Sequence, residues 1–158
     1  MADELTHFDA DGAAHMVAIT DKPESARSAT AAARVTMAPE TLARIQAGTL
    51  GKGDVLAVAR LAAIMATKAT AGVIPLCHPV RVVAVDVAFA PLVDAVGFEV
   101  RVRVDAIDRT GPEMEAMHGA SIAALTIYDM CKAIDRGMAI ERVVLLEKRG
   151  GKSGHFVR

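Results

Sequence analysis

Between Ala116 and Ile134 the chain is apolar on almost every side that a helix could present, yet Asp129 and Lys132 are set into it within Tyr128-Asp129-Met130-Cys131-Lys132. Lying three apart, they share one helical face, about 60° from each other. Such a pair can be an ion pair that satisfies two charges beside a core, and spacing alone favours that reading. It can also move protons: partial desolvation lowers the pKa of a Lys, while a neighbouring carboxylate orients it and raises it back. At the other end of the stretch stands Glu113-Met114-Glu115. Carboxylates in a first turn favour the helix dipole, which is reason enough for them. Glu115 and Asp129 nevertheless project from nearly the same side, and at 1.5 Å per residue they stand about 21 Å apart. If both clusters act, the ligand is long, or the site joins one end of this helix to the other end of a neighbour's.

Ile74-Pro75-Leu76-Cys77-His78-Pro79 holds a Cys and a His between two prolines. Proline fixes φ and disfavours helix in the residue before it, so Cys77 and His78 belong in a rigid extended turn suited to presenting an imidazole. Anion or substrate contact by His78 is favoured over a purely structural turn. Adjacent Cys and His do not have zinc-site spacing, so no metal ligand is assigned. A Cys nucleophile would need a base that nothing in the sequence specifies. The third group is basic residues in glycine-rich backbone, Gly51-Lys52-Gly53 and Lys148-Arg149-Gly150-Gly151-Lys152-Ser153-Gly154. Glycine permits close backbone approach, and a Lys there suits a phosphate. The Gly-Lys-Ser run is not a P-loop, because Leu146 stands where the motif needs Gly and no helix can follow. A flexible solvated tail is the plain alternative. Arg27 is a further candidate cation, though alone it cannot be told from a surface charge.

These residues need elements to position them. Phe98 to Asp105 alternates strictly, with Phe98, Val100, Val102 and Val104 on one face, as in an antiparallel strand with one buried side. Arg81 to Ala90 and Ile140 to Glu147 read as further strands. His15 to Thr20 reads as a first strand, and Ala29 to Thr36 as a weaker one because so much Ala suits a helix as well. Helices are expected from Pro39 to Gly48, from an Asp54 N-cap through Val55 to Thr67, and from Thr110-Gly111-Pro112-Glu113 to about Arg136. The order is that of an α+β plait, an antiparallel sheet with helices on one face and an N-terminal strand extension. Residues 1–158 form one domain, with 1–12 and 150–158 expected to be flexible.

Composition narrows the partners. Of 158 residues, 53% are hydrophobic but only 3% aromatic, and the 12 Gly raise the apolar share to roughly 60%, above the ordinary 45–50%. The surplus suggests a surface covered by another copy of the chain. With Lys+Arg 18 against Asp+Glu 19 the net charge is −1, so nothing draws nucleic acid and few rings could stack bases. No apolar stretch of membrane-spanning length and no signal peptide are read. Two Cys make no disulfide framework, and a cytoplasmic protein is expected.

Together, HMV at 15–17, KGDV at 52–55, IPLCHP at 74–79, TGPEMEAM at 110–117, AALTIYDMCKA at 123–133 and GGKSG at 150–154 resemble the cyclic pyranopterin monophosphate synthase family, the C proteins of molybdenum cofactor biosynthesis. The likeness runs from about Leu5 to Phe156. It implies a ferredoxin-like protomer in a hexamer, a trimer of dimers with sites at the dimer interface. The implied lyase converts 3′,8-cyclo-7,8-dihydroguanosine 5′-triphosphate into cyclic pyranopterin monophosphate and pyrophosphate. It also implies Asp129, Lys132 and Lys52 as catalytic residues. Leu76, Cys77, His78, Glu113, Met114 and Glu115 would bind substrate, and Arg27, Lys148 and Lys152 would contact the triphosphate. Pro112 and His155 depart from the family pattern without touching the catalytic set. No cofactor is required, with Mg²⁺ at most accompanying the triphosphate. The chemistry suits a tuned Lys acid and cations that take up the leaving charge. A plait domain that binds a nucleotide or metabolite without turning it over remains the alternative.

Overall fold

The alternation from Phe98 to Asp105 forms an inner strand of the sheet. The computed structural model describes residues 7–9, 11–51, 53–152 and 154–158. Strand β3 (Gly97–Asp108) turns Phe98, Val100, Val102 and Val104 inward and Arg101 and Arg103 outward. On one side β3 pairs antiparallel with β2 (Val82–Pro91), on the other with β1 (Ser25–Thr36). Next to β1 comes β4 (Ala139–Arg149), edged by the short β5 (Phe156–Val157), giving the order β2-β3-β1-β4-β5.

In the register of β1 and β3, Ala29, Ala31 and Ala33 stand beside Val104, Val102 and Val100. Small residues beside β-branched ones leave a shallow inner surface, on which α2 (Val55–Val73) and α3 (Glu113–Cys131) lie against each other and against the sheet. The helices are equally small where they pack: Ala59, Ala63 and Ala66 on α2, and Ala116, Ala120, Ala123 and Ala124 on α3, are buried. At Gly119 an added Cβ would come within 3.1 Å of Thr67 and Val102. Close helix-on-sheet packing therefore uses much of the aliphatic composition inside one protomer. Apolar surface also remains outside. Val58, Leu61 and Met65, spaced three and four apart on α2, are 40%, 62% and 70% exposed, and Leu125 of α3 is 53% exposed.

The sequence β1-α2-β2-β3-α3-β4 is that of a ferredoxin-like plait, with α1 (Pro39–Ala47) inserted after the first strand. Gly48 closes α1 in the left-handed conformation, and the Asp54 carboxylate caps α2 by accepting from the Ala57 N–H at 3.0 Å. The expected N-terminal strand extension is corrected in two ways. His15–Thr20 is not a strand, and the Ala-rich segment is the inner first strand of the plait itself, starting at Ser25. Its weak intrinsic β-preference is outweighed because α3 packs onto β1 and a larger side chain would hold the helix away. Helix α2 continues past Thr67 to Val73, where Ile74 turns extended before Pro75. Helix α3 ends at Cys131 rather than near Arg136. There the Asp135 carboxylate accepts from the Ala38 N–H at 2.8 Å and the Thr41 hydroxyl at 3.1 Å, tying the chain to α1 instead of continuing the helix. By length and composition α2 could cross a bilayer, contrary to the expectation that no stretch would. In the fold one face of it is buried against α3 and the sheet.

Candidate functional site

Where β3 ends, Asp108 gathers several groups. Its carboxylate accepts from the backbone N–H of Arg81 at 2.8 Å and of Arg109 at 2.7 Å. Burial pushes this carboxyl up, but those two N–H bonds and the two arginine charges outweigh it, so Asp108 titrates below its ordinary value. Its carbonyl accepts from Arg27 Nε at 2.8 Å, and Arg109 Nη1 donates to the Thr20 carbonyl at 2.8 Å, tying down the chain that leads into β1. From β4, Lys148 Nζ donates to Glu113 Oε1 at 2.5 Å. The tail then folds back over Arg27. Gly151 has φ of 77°, and a Cβ there would run into the Arg27 guanidinium, so glycine is what lets Lys152 approach. A cavity of about 490 Å³ results, lined by Lys22, Arg27, Arg109, Lys148 and Lys152, with Glu113 the only carboxylate among the described residues that line it. Among the described residues no group of three metal-ligating side chains occurs.

A second cavity of about 620 Å³ adjoins the first and shares Thr110, Gly111 and Glu113 with it. Its walls are Ile74, Pro75, Leu76, Cys77 and His78 from the turn after α2, and Met114 from α3. The turn is closed by the Cys77 N–H donating to the Ile74 carbonyl at 3.1 Å. Burial, then the charges of Glu115 and Glu113, push the Cys77 thiol up, which disfavours the thiolate a nucleophile would need. Glu115 lies outside both linings. It is 2% exposed, one carboxyl oxygen has no hydrogen-bond partner, and burial raises it to about 7. The two cavities form one trough, strongly cationic at one end and mostly uncharged at the other.

The Asp129–Lys132 pair is elsewhere. Lys132 Nζ donates to Asp129 Oδ1 at 2.6 Å, with the side chains 53% and 64% exposed. The expectation of a partly desolvated Lys is corrected for the single protomer: its bond to Asp129 raises Lys132 above its ordinary value. From Glu113 to Asp129 along α3 is about 24 Å. Lys52 lies outside the described residues; Gly51 and Gly53 flank it ahead of α2.

The trough thus unites Arg27, Lys148, Lys152, Leu76, Cys77, His78, Glu113 and Met114, with Glu115 beneath the start of α3, while Asp129 and Lys132 stand at the far end of the helix. Lys22, Arg109 and His7 were missed. Lys22 follows a segment misread as a strand, and Arg109 resembles any strand-end charge until its contact with Thr20 is known. Nothing in the sequence marks His7.

A family model described as the MoaC family matches residues 16–151. The chain is similar to the cyclic pyranopterin monophosphate synthase of Desulfitobacterium hafniense, at 52% identity over 155 residues, covering 98% of this chain and 94% of the relative. Proteins of the same name from Thermomicrobium roseum and Magnetococcus marinus are 51% and 54% identical, each over 98% of this chain, and 93% and 94% of their own lengths are covered.

Proposed function

The chain belongs to the MoaC family, and from that premise we propose that it is a lyase of molybdenum cofactor biosynthesis that forms cyclic pyranopterin monophosphate. The substrate is the cyclised guanosine triphosphate of the resemblance, and the trough is the observation that carries the reading. A cationic cavity joined end to end with a mostly uncharged one suits a molecule with a triphosphate at one end and a purine-derived ring at the other. Lys22, Arg27, Arg109, Lys148 and Lys152 hold the phosphates, while the Ile74–His78 turn and Met114 border the ring.

The reaction divides between these ends. Opening the bridge between ribose and guanine and rebuilding it as a pterin is a series of proton transfers, assigned to Lys132 with Asp129 as its tuning carboxylate and Lys52 assisting. The cyclic phosphate forms when a substrate hydroxyl attacks the α-phosphorus. The bond to the bridging oxygen breaks, and pyrophosphate leaves into the cationic end, whose side chains take up its charge. No resident cofactor enters these steps, and Mg²⁺ is at most a companion of the triphosphate.

Because Asp129 and Lys132 lie about 24 Å along α3 from Glu113, the pair reaches the trough of a second copy rather than its own. The apolar stripe of Val58, Leu61 and Met65, with Leu125, supports burial between copies in a cytoplasmic hexamer of three dimers. Lys132→Ala tests the assignment. It should abolish cyclic product and pyrophosphate release while leaving tripolyphosphate binding intact; turnover near the wild-type rate would sink it.

A further inference from the structure

The cavity beside Ile74–His78 is walled on two sides by the proline-bounded turn and the start of α3. A third side comes from the N-terminal segment through His7. A short hairpin fixes its backbone there. The His15 N–H donates to the His7 carbonyl at 3.0 Å, and the Asp9 N–H donates to the Ala13 carbonyl at 3.0 Å. The tip is shaped by Asp9, whose carboxylate oxygen Oδ1 accepts from the N–H of Asp11 at 3.0 Å and of Ala13 at 2.8 Å. Gly12 donates to the Asp9 carbonyl at 3.0 Å with φ of 80°, a left-handed turn position that glycine fills without strain. The hairpin sets its own shape and presents the His7 side chain to the cavity.

Much of that cavity's lining offers surface but few directional partners: Ile74, Pro75, Leu76 and Val80 are apolar. A guanine-derived ring carries hydrogen-bond donors and acceptors along its edge. A neutral imidazole supplies one of each on a stiff ring. We infer that His7, presented by the hairpin, is a substrate-contacting residue that hydrogen-bonds the ring portion of the substrate in the cavity it shares with His78. This rests on the function proposed above and adds a contact from a segment to which no role had been given.

The experiment uses the full chain and the cyclised triphosphate, with inorganic tripolyphosphate as a probe of the cationic end alone. His7→Ala should raise KM about tenfold, the scale of one lost hydrogen bond, with a smaller change in kcat and unchanged tripolyphosphate affinity. Gly12→Val strains the left-handed turn outside the cavity and should reproduce the rise in KM. His7→Gln, which keeps a donor and an acceptor, should recover part of it. Circular dichroism and Tm should stay at wild-type values, since the hairpin lies outside the core. An unchanged KM in His7→Ala overturns the inference, and so does a loss that extends to tripolyphosphate binding. Failure of the underlying function shows differently, as absence of turnover in the wild-type chain.

Discussion

If the trough and the Asp129–Lys132 pair serve one reaction, they come from different chains, and that can be counted. Neither cavity of the trough is lined by Asp129 or Lys132, and the helix between them holds them about 24 Å apart. Take two variants, Arg27→Ala at the cationic end and Lys132→Ala at the far end, each expected to be inactive alone. When they are co-expressed in equal amounts, each site draws Arg27 from one chain and Lys132 from another. Each required residue is intact half the time, so about one quarter of the sites are whole and about one quarter of wild-type activity returns. A second mixture sharpens the count. Wild-type chains mixed equally with the doubly substituted chain should show about one quarter of full activity if sites are shared, and about one half if every site lies within one chain. The assay is formation of cyclic product at fixed total protein, with differently tagged chains captured together to show that mixed oligomers exist. Mixed oligomers with no recovered activity, together with one-half activity in the second mixture, would refute the shared site.

The remaining expectations concern single positions. The Glu115 carboxyl is raised to about 7 from an ordinary 4.5, so its contribution is fully present below pH 4.5 and is lost as pH rises towards 7. Denaturant unfolding should therefore show about 3 kcal/mol less stability at pH 8 than at pH 4 from this group, and Glu115→Gln should flatten that slope. Iodoacetamide should modify Cys77 more slowly at pH 8 than it modifies a free thiol, and Glu115→Gln, by removing a charge that raises the thiol, should speed it. Gly119→Val should cost about 1–3 kcal/mol of stability by forcing α3 off Thr67 and Val102, measured by chemical denaturation. Gly151→Val should lower stability by straining the left-handed turn, and should weaken tripolyphosphate binding by displacing Arg27 or the tail, read by chemical denaturation and calorimetry.

How far each feature could be read depends on the range of the force behind it. The strand at β3 was legible because burial of one face writes a period of two directly into Phe98, Val100, Val102 and Val104. The neighbouring β1 was nearly missed because its Ala content answers to α3, an element almost ninety residues later in the chain. Arg27, Lys148 and Lys152 could be proposed from charge beside glycine, but their convergence depends on Gly151 folding over the Arg27 guanidinium, which local sequence does not encode. Arg109 is brought to the cationic cavity only through Asp108 and Thr20. The stretch around Asp129 read as buried on most sides, since its apolar residues do cover the sheet, yet Asp129 and Lys132 lie on the strip that one protomer leaves open.

That open strip bears on the chemistry as much as on assembly. In the single chain Lys132 is exposed and held above its ordinary value by Asp129. A Lys so held gives up its proton reluctantly at neutral pH, which suits a surface ion pair better than a catalytic acid. Covering the strip with a second copy would remove water from the ammonium group, and desolvation moves a Lys downward. The cationic trough of that copy would push in the same direction, because like charges disfavour the protonated form. Docking would then supply the missing end of the site and tune the group that works there. The exposed Val58, Leu61, Met65 and Leu125 offer apolar area for such docking. An assembled form should show Lys132 titrating lower than in a dissociated protomer, by NMR of the labelled side chain. Equal titration in both would leave Lys132 an ion-pair residue and move the acid role to another group in the trough.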